Sequence, residues 1–424
     1  MTTVANELLT KAQAARGATR ELARLSTDAK NRAIELIALA LESQQGSVLE
    51  ANRQDYEAAR QDGMSEALLD RLLLTSERLT AQAADVRKVA GLPDPVGESF
   101  DAQTLPNGLR IARRRVPLGV IGTIYESRPN VTVDISVLCL KSGNVALLRG
   151  GKEAIRSNAA LAGLVRGALA KAGVTPEAVQ LVESTDRALV DQMLTLSQYI
   201  DLLIPRGGPA LVKLVAERAT MPVVTGGIGV CHTFIDASAN IERAVAIAYN
   251  AKVQRPTVCN ALDTLLVHAK VAPEVLPKVA LAWAEAGVEM HCDHRALSIL
   301  GPSHGTAVVP ATEDDWGKEF LSLVAAVAVV DSFDEALEHI HKYGSGHSEA
   351  ILTEDYSAAM RFLDEVDAAA VFVNASTRFT DGAQFGLGAE VAISTNKLHA
   401  RGPMGLRELT SYKWIIMGDG QVRE

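Results

Sequence analysis

The sequence predicts an α/β protein of two parallel-sheet domains with a small β element beside them, and three observations carry that expectation. Short apolar strands alternate with helical segments through the middle of the chain, the first hundred or so residues are helical, and a Gly-rich C-terminal segment ends in the apolar run Trp414-Ile415-Ile416-Met417. With 424 residues, 48% of them hydrophobic, the chain is long enough for two or three cored domains.

The N-terminal part is predicted to form long amphipathic helices. Leu8, Leu9, Ala12 and Ala15, then Ile34, Ile37, Ala38 and Leu41, recur at helical spacing, with Ser26, Thr27 or Asp28 available as a cap. Such stripes report a packed face rather than a function. Pro93, Pro95 and Gly97 end this region, and Leu105-Pro106-Asn107-Gly108 places a turn between two strand-like arms, so a hairpin follows. Its second arm holds Arg110, Arg113, Arg114 and Arg115, read as a solvated or subunit-contacting surface.

Strands are then expected at 118–124, 145–148, 179–182, 200–204 and 222–224, separated by helices, which builds a mostly parallel sheet with ligands beyond its carboxyl ends. A short strand follows at 232–235; then a helix at 241–254, a strand at 262–268 and a helix at 273–287 open a second α/β domain, with further strands at 326–330 and 350–353. The last segment reads as a strand that completes a sheet with the hairpin. No internal repeat or low-complexity tract is visible.

Charge and cysteines narrow the function class. A formal charge of -9 offers no electrostatic footprint for nucleic acid or anionic membrane, which favours a small-molecule function. Four scattered cysteines suit a reducing compartment, the N-terminus with Glu7 and Glu21 lacks a signal pattern, and the longest apolar run, 321–330, is too short to span a bilayer. A cytoplasmic location with no membrane partner is expected.

Two strand ends run into glycine pairs, Arg149-Gly150-Gly151-Lys152 and Arg206-Gly207-Gly208. Backbone N–H groups at a helix start attract phosphate, glycine permits close approach, and the cations add charge. Ordinary strand-to-helix turns explain each pair equally well; two in one array favour a dinucleotide. The stretch Thr225-Gly226-Gly227-Ile228-Gly229 precedes a strand, the wrong context for that grip. Cys259, in the link Gln254-Arg255-Pro256-Thr257-Val258-Cys259-Asn260, is either an exposed thiol able to attack a carbonyl or a small buried hydrophobe, whereas Cys139 reads as packing. His291-Cys292-Asp293-His294 lacks zinc-ligand spacing, so no metal is expected, and Gly344-Ser345-Gly346-His347-Ser348 lacks the serine-hydrolase elbow.

Four motifs together carry a resemblance. They are Gly119-Val120-Ile121-Gly122-Thr123-Ile124-Tyr125-Glu126-Ser127-Arg128-Pro129-Asn130-Val131, Lys141-Ser142-Gly143-Asn144, the Q-R-P-T-x-C-N setting of Cys259, and Tyr343-Gly344-Ser345-Gly346-His347-Ser348-Glu349. With Arg378-Phe379-Thr380-Asp381-Gly382 and Gly386-Leu387-Gly388-Ala389-Glu390 near the end, the chain resembles the gamma-glutamyl phosphate reductase (glutamate-5-semialdehyde dehydrogenase) family of the aldehyde dehydrogenase superfamily along its whole length. The resemblance implies an aldehyde dehydrogenase-like fold: a cofactor domain at 1–103 and 117–240, a catalytic domain at 241–384, and an oligomerisation element at 104–116 and 385–424. It implies NADPH-dependent reduction of L-glutamyl 5-phosphate to L-glutamate 5-semialdehyde with release of phosphate, the second step of proline biosynthesis from glutamate, in a homo-oligomer.

Residue roles follow from the same resemblance. Cys259 falls on the nucleophile, and its backbone N–H with the Asn130 side chain on the oxyanion donors. Asn130 also reads as a turn residue after Pro129, and the superfamily's asparagine aligns as well with Tyr125. Glu319 matches a nicotinamide-ribose ligand or a plain surface acid, and Arg149 and Lys152 suit a 2′-phosphate. Arg128, Arg378 and Asp381 are candidates by type for the substrate's carboxylate and ammonium, or structural ion-pair members. Hydrolytic relatives carry a general-base glutamate before Leu-Gly-Gly; here Val223-Val224-Thr225-Gly226-Gly227 has no acid, so a thioester would persist for phosphate to take. A coenzyme A-acylating dehydrogenase and a non-enzymatic nucleotide-binding protein remain alternative readings. The lability of an acyl phosphate also suggests a complex with the glutamate 5-kinase that makes it.

Overall fold

The computed structural model describes residues 4–226, 228–301 and 307–423, and the chain forms two compact units. One comprises the chain up to Thr225 with Gly386–Ala392 and the part from Met404 onward; the other comprises Gly226–Phe385 with Ile393–Pro403. Among the described residues no helix is long and apolar enough to cross a membrane.

The first unit opens with helices α1 (Val4–Leu22), α2 (Thr27–Ser43), α3 (Gln45–Gln61), α4 (Glu66–Leu72) and α5 (Ser76–Gly91). Leu8, Ala12, Ala15, Ile34, Ile37, Ala38 and Leu41 are buried as their spacing demands, while Leu9 turns outward. Ser26 caps α2, its hydroxyl accepting the Ala29 N–H. A hairpin follows, β1 (Ser99–Thr104) and β2 (Arg110–Pro117), and the C-terminal strand Thr410–Met417 pairs antiparallel with β2 along its full length. The Arg113 guanidinium stacks between the rings of Tyr412 and Trp414, and Arg115 pairs with Glu98. Two of the hairpin's arginines are thus spent on holding the small sheet together.

The parallel sheet of this unit holds β3 (Val120–Tyr125), β4 (Val145–Gly150), β5 (Val179–Leu181) and β6 (Leu202–Arg206) in the order β5-β4-β3-β6. Helices α6 (Val131–Lys141) and α7 (Ile155–Ala172) connect the strands to one side, then α8 (Ala188–Met193) leads to β6 on the other side of β3. The order therefore reverses between β3 and β6, where the loops after both strands lie side by side, the position at which open α/β sheets bind ligands. The strand expected at 222–224 is a single bridge, Val223 to Leu203, because the chain leaves the sheet after one residue of pairing.

The second unit carries a seven-stranded parallel sheet in the order β10-β9-β11-β8-β7-β12-β13, formed by β7 (Cys231–Ile235), β8 (Leu262–His268), β9 (Glu289–Cys292), β10 (Val308–Pro310), β11 (Val324–Val330), β12 (Ser348–Leu352) and β13 (Ala370–Val373). Both faces are covered. Ala325, Val327 and Val329 pack in one apolar cluster and Ala328 and Val330 in the other, which is why β11 reads as an unbroken apolar run rather than an alternation.

Three boundaries differ from the expectation. The units divide at Thr225, not after residue 240, because β7 pairs with β8 and β12 of the second sheet. The segment expected to be oligomerisation tail from 385 is shared: Ile393–Ser394 pairs with Gly402–Pro403 within the second unit. Finally, the strand expected at 326–330 begins at Val324 but does not extend over the whole apolar run, since Leu321 is exposed and adopts a φ of 51°, incompatible with a strand.

Candidate active site

Cys259 lies on the link between helix α10 (Ile241–Val253) and β8, and it is half-buried, unlike the buried Cys139, Cys231 and Cys292. Burial pushes the other three thiols up, most directly Cys231, where the nearby Asp263 and Glu349 charges add to the effect. The link is fixed from below and from the side. Gly229 approaches so closely that a Cβ there would stand 2.0 Å from the Cys259 carbonyl oxygen, and the Cys231 thiol donates to that oxygen at 3.2 Å. Asn260 is buried, and its Nδ2 donates to the carbonyls of Arg378 (3.3 Å) and Thr380 (2.9 Å), while the Thr377 hydroxyl donates to the Asn260 carbonyl at 2.8 Å.

These bonds bring Arg378 and Asp381 to the Cys259 loop. The Arg378 Nε donates to Gln254 Oε1 at 2.9 Å, and burial lowers its pKa, assisted by the charge of Arg255 and opposed by those of Asp381 and Cys259. Asp381 accepts the N–H groups of Ala383 and Gln384, so its carboxylate also shapes the next turn.

Glu319 accepts the Gly229 N–H at 3.1 Å, which links it to the segment pressed against Cys259, and burial raises its carboxyl pKa. Next to it, the Phe320 N–H donates to Asp263 Oδ1 at 3.0 Å. Asp263 and Lys252 are both buried, 3.8 Å apart; burial pushes the carboxyl up and the ammonium down. His347 is buried with Nδ1 at 2.8 Å from the Ser348 hydroxyl, itself 2.6 Å from that of Thr380.

Of the residues expected to hold a cofactor, Arg149, Gly150, Gly151, Lys152, Arg206, Gly207 and Gly208 sit in the first unit, the last three at the reversal of strand order, and Glu319 in the second. Gly207 and Gly208 lead into the ten-residue helix α9 (Pro209–Arg218), whose Gly208 N–H donates to Glu126 Oε2 at 3.0 Å. A carboxylate thus already uses the anion-attracting end of this helix. At the other pair, a Cβ on Gly151 would meet the Glu153 carboxylate at 2.1 Å, and Glu153 accepts the Ser127 N–H and hydroxyl. Lys152 is exposed, Arg206 half-buried, and Arg149 buried with its guanidinium against the Thr185 carbonyl at 3.4 Å. Asn130 precedes α6, and its Nδ2 donates to Asp134 Oδ2 at 2.8 Å; Arg128 is half-buried nearby in the same loop. Tyr125 is buried, its hydroxyl 2.7 Å from that of Thr132.

Sequence reasoning passed over Glu126, Glu153, Gly229 and Asn260. The last stood inside the quoted Cys259 motif, and Gly229 stood in the glycine-rich stretch of which Gly227 lies outside the described residues. The His291-Cys292-Asp293-His294 stretch is used structurally: Asp293 caps the helix His294–Leu300, and His291 bridges Glu289 and Asp315.

The sequence matches the model of the aldehyde dehydrogenase family over residues 4–305 and 306–415. It is 59% identical over 417 residues to the gamma-glutamyl phosphate reductase of Dehalococcoides mccartyi (strain CBDB1), covering 98% of each chain. The crystal structure of gamma-glutamyl phosphate reductase from Thermotoga maritima superposes with a TM-score of 0.96 at 51% identity, covering 99% of this chain and all of that one. An acetylating aldehyde dehydrogenase from Geobacillus thermoglucosidasius, 19% identical with a TM-score of 0.69 over 99% of this chain and 98% of its own, shares the fold.

Proposed function

Since the chain belongs to the gamma-glutamyl phosphate reductases of the aldehyde dehydrogenase family, we propose that it reduces L-glutamyl 5-phosphate to L-glutamate 5-semialdehyde with NADPH, through a thioester on Cys259. This is the second step of proline biosynthesis from glutamate. The observation that carries the reading is the half-buried Cys259, held on a link that is tied by Asn260 to Arg378 and the Asp381 turn.

The Cys259 thiolate attacks the acyl carbon, phosphate departs, and the thioester is reduced to a thiohemiacetal that expels the aldehyde. Two tetrahedral oxyanions form on this path. The Cys259 backbone N–H and an Asn130 amide N–H are assigned to them, a class of contact contributing about 3 kcal/mol. Arg128, Arg378 and Asp381 are assigned to the amino acid end, cations for the carboxylate and the acid for the ammonium. Val224, where a hydrolytic relative has a carboxylate before its Leu-Gly-Gly, cannot deprotonate water, so the thioester outlives competing hydrolysis.

A nicotinamide cofactor fits the first unit. The Gly207–Gly208 pair stands at the reversal of strand order before α9, and a Cβ on Gly207 would stand 2.4 Å from the Glu126 carboxylate, so only glycine fits there without displacing it. The Arg149 Nε is buried with no hydrogen-bond partner among the described residues, a donor awaiting an acceptor. Gly150, Gly151, Lys152, Arg206, Gly207 and Gly208 would hold the phosphates with Arg149, and Glu319 the nicotinamide ribose. The cofactor supplies hydride when bound.

The location is assigned as cytoplasmic and the assembly as a homo-oligomer through the small antiparallel sheet. Its Tyr412, Trp414, Ile416 and Met417 are exposed, as an apolar contact surface requires. Association with glutamate 5-kinase would protect the labile substrate, and a shared gel-filtration peak tests it. The reaction itself is tested by following NADPH formation from glutamate semialdehyde with phosphate, with coenzyme A, and with neither. Phosphate-dependent formation supports the assignment; dependence on coenzyme A, or binding without turnover, overturns it.

A further inference from the structure

We propose that Arg255 and Arg378 form an anion subsite beside Cys259 that takes the phosphoryl group of the acyl phosphate and holds the phosphate as it leaves. The inference rests on the acyl phosphate reading above and gives Arg378 a different partner from the amino acid carboxylate.

Arg378 is held across the link that contains the nucleophile. Its side chain reaches Gln254, five residues before Cys259, through the 2.9 Å bond to Oε1, and its carbonyl accepts from Asn260, the residue after Cys259. The hydroxyl of Thr377 closes the same clamp on the Asn260 carbonyl, and Ser376 caps the turn by accepting the Arg378 N–H. One guanidinium is therefore anchored beside the residue that carries the second, the exposed Arg255. Burial and the Arg255 charge both make Arg378 harder to keep protonated, while Asp381 and Cys259 oppose them. The Arg255 and Arg378 charges repel each other, and an anion between them removes that repulsion.

Chemistry selects the phosphoryl group. Its bridging oxygen is bonded to the carbon that the sulfur attacks, so it must lie beside the nucleophile, whereas the substrate's carboxylate is at the opposite end of the glutamyl chain. As the S–C bond forms and the C–O bond breaks, the electron pair leaves with phosphate, and negative charge grows on that group. Planar guanidinium forks match phosphate oxygens, so their stabilisation increases along this step.

The test is steady-state kinetics in the oxidative direction with glutamate semialdehyde, NADP and inorganic phosphate, comparing the unmodified protein with Arg255→Gln, Arg255→Lys and Arg378→Gln. Arg255→Gln should raise KM for phosphate about tenfold or more while moving KM for semialdehyde and NADP less than about twofold, and Lys should recover part of the loss. Because Arg378→Gln also breaks the bond to Gln254, the exposed Arg255 carries the decision. A second measurement needs no turnover: inorganic phosphate should slow alkylation of Cys259 by iodoacetamide in the unmodified protein and not in Arg255→Gln. A raised KM for semialdehyde with phosphate unaffected would assign these arginines to the amino acid carboxylate and overturn the subsite. Phosphate-independent NADPH formation by the unmodified protein would instead overturn the parent reaction.

Discussion

Gly229 and Cys259 touch backbone to backbone: a β-carbon on Gly229 would lie 2.0 Å from the Cys259 carbonyl oxygen and 2.7 Å from its Cβ. No side chain fits between them, and the same glycine gives its N–H to Glu319. The proposed nucleophile and the proposed ribose ligand are thus positioned from one residue of the second unit.

Gly229→Ala should displace the Cys259 loop. Misplacing a reacting atom by about an ångström costs on the order of 100-fold in rate, and overpacking costs about 1–3 kcal/mol of stability. Steady-state turnover and thermal unfolding measure both; an active, equally stable variant would remove the argument from close approach.

Cys259→Ser should leave the fold intact, since the side chain is only half-buried, and lower turnover by roughly a thousandfold or more. Cys139→Ala, in the packed helix α6, is the control and should stay within a few-fold of normal activity. Mass spectrometry of the protein mixed with substrate should find the acyl adduct on Cys259 and nowhere else.

Glu319→Gln retains an amide oxygen for the Gly229 N–H, so the melting temperature should change little. The lost carboxylate should raise KM for the nicotinamide cofactor about tenfold, with a smaller change in KM for the aldehyde. Equal KM values for the cofactor in both proteins would return Glu319 to a structural role.

Lys152→Ala should narrow the preference for NADP over NAD, by about tenfold in kcat/KM for NADP if the exposed ammonium meets the 2′-phosphate. Arg149, buried against Thr185, should matter less for this choice than Lys152. An unchanged preference in Lys152→Ala would show that the glycine pair before α7 does not read that phosphate.

Two histidines make stability depend on acid. Burial lowers the pKa of His347 to about 4 and that of His339 to about 3, below the ordinary 6.5. Unfolding lets both take a proton, so their contribution is complete above about pH 6.5 and is lost as pH falls through 4 and 3. Each group contributes a slope of up to about 1.4 kcal/mol per pH unit in that window. Urea midpoints measured from pH 7 to pH 4 should fall, and less steeply in His347→Gln; parallel curves would contradict the assignment.

Much of this was legible in the chain. Helical spacing located the buried face of α1 and α2, and β8 occupies residues 262–268 as its apolar run required. The Cys259 link was identified from proline and polar residues between a helix and a strand, which are local signals. The clamp by Asn260 was not legible, because its partners at 377–380 are more than a hundred residues away. Nor was the engagement of Gly208 by Glu126, which depends on β3 and β6 becoming neighbours.

By itself the sequence determined the α/β class, the family, the loop setting of the candidate Cys259, and the absence of an acid in the 223–227 stretch, because periodicity, turn chemistry and short motifs are written in consecutive residues. Tertiary structure alone decided that β7 belongs to the second sheet, moving the boundary from 240 to 225, and that Arg378 lies across the Cys259 link. The physical reason is that strand order and side-chain clamps are fixed by chain closure over long separations. There the hydrogen bonds and burial of distant segments, not their local preferences, choose among pairings of similar composition.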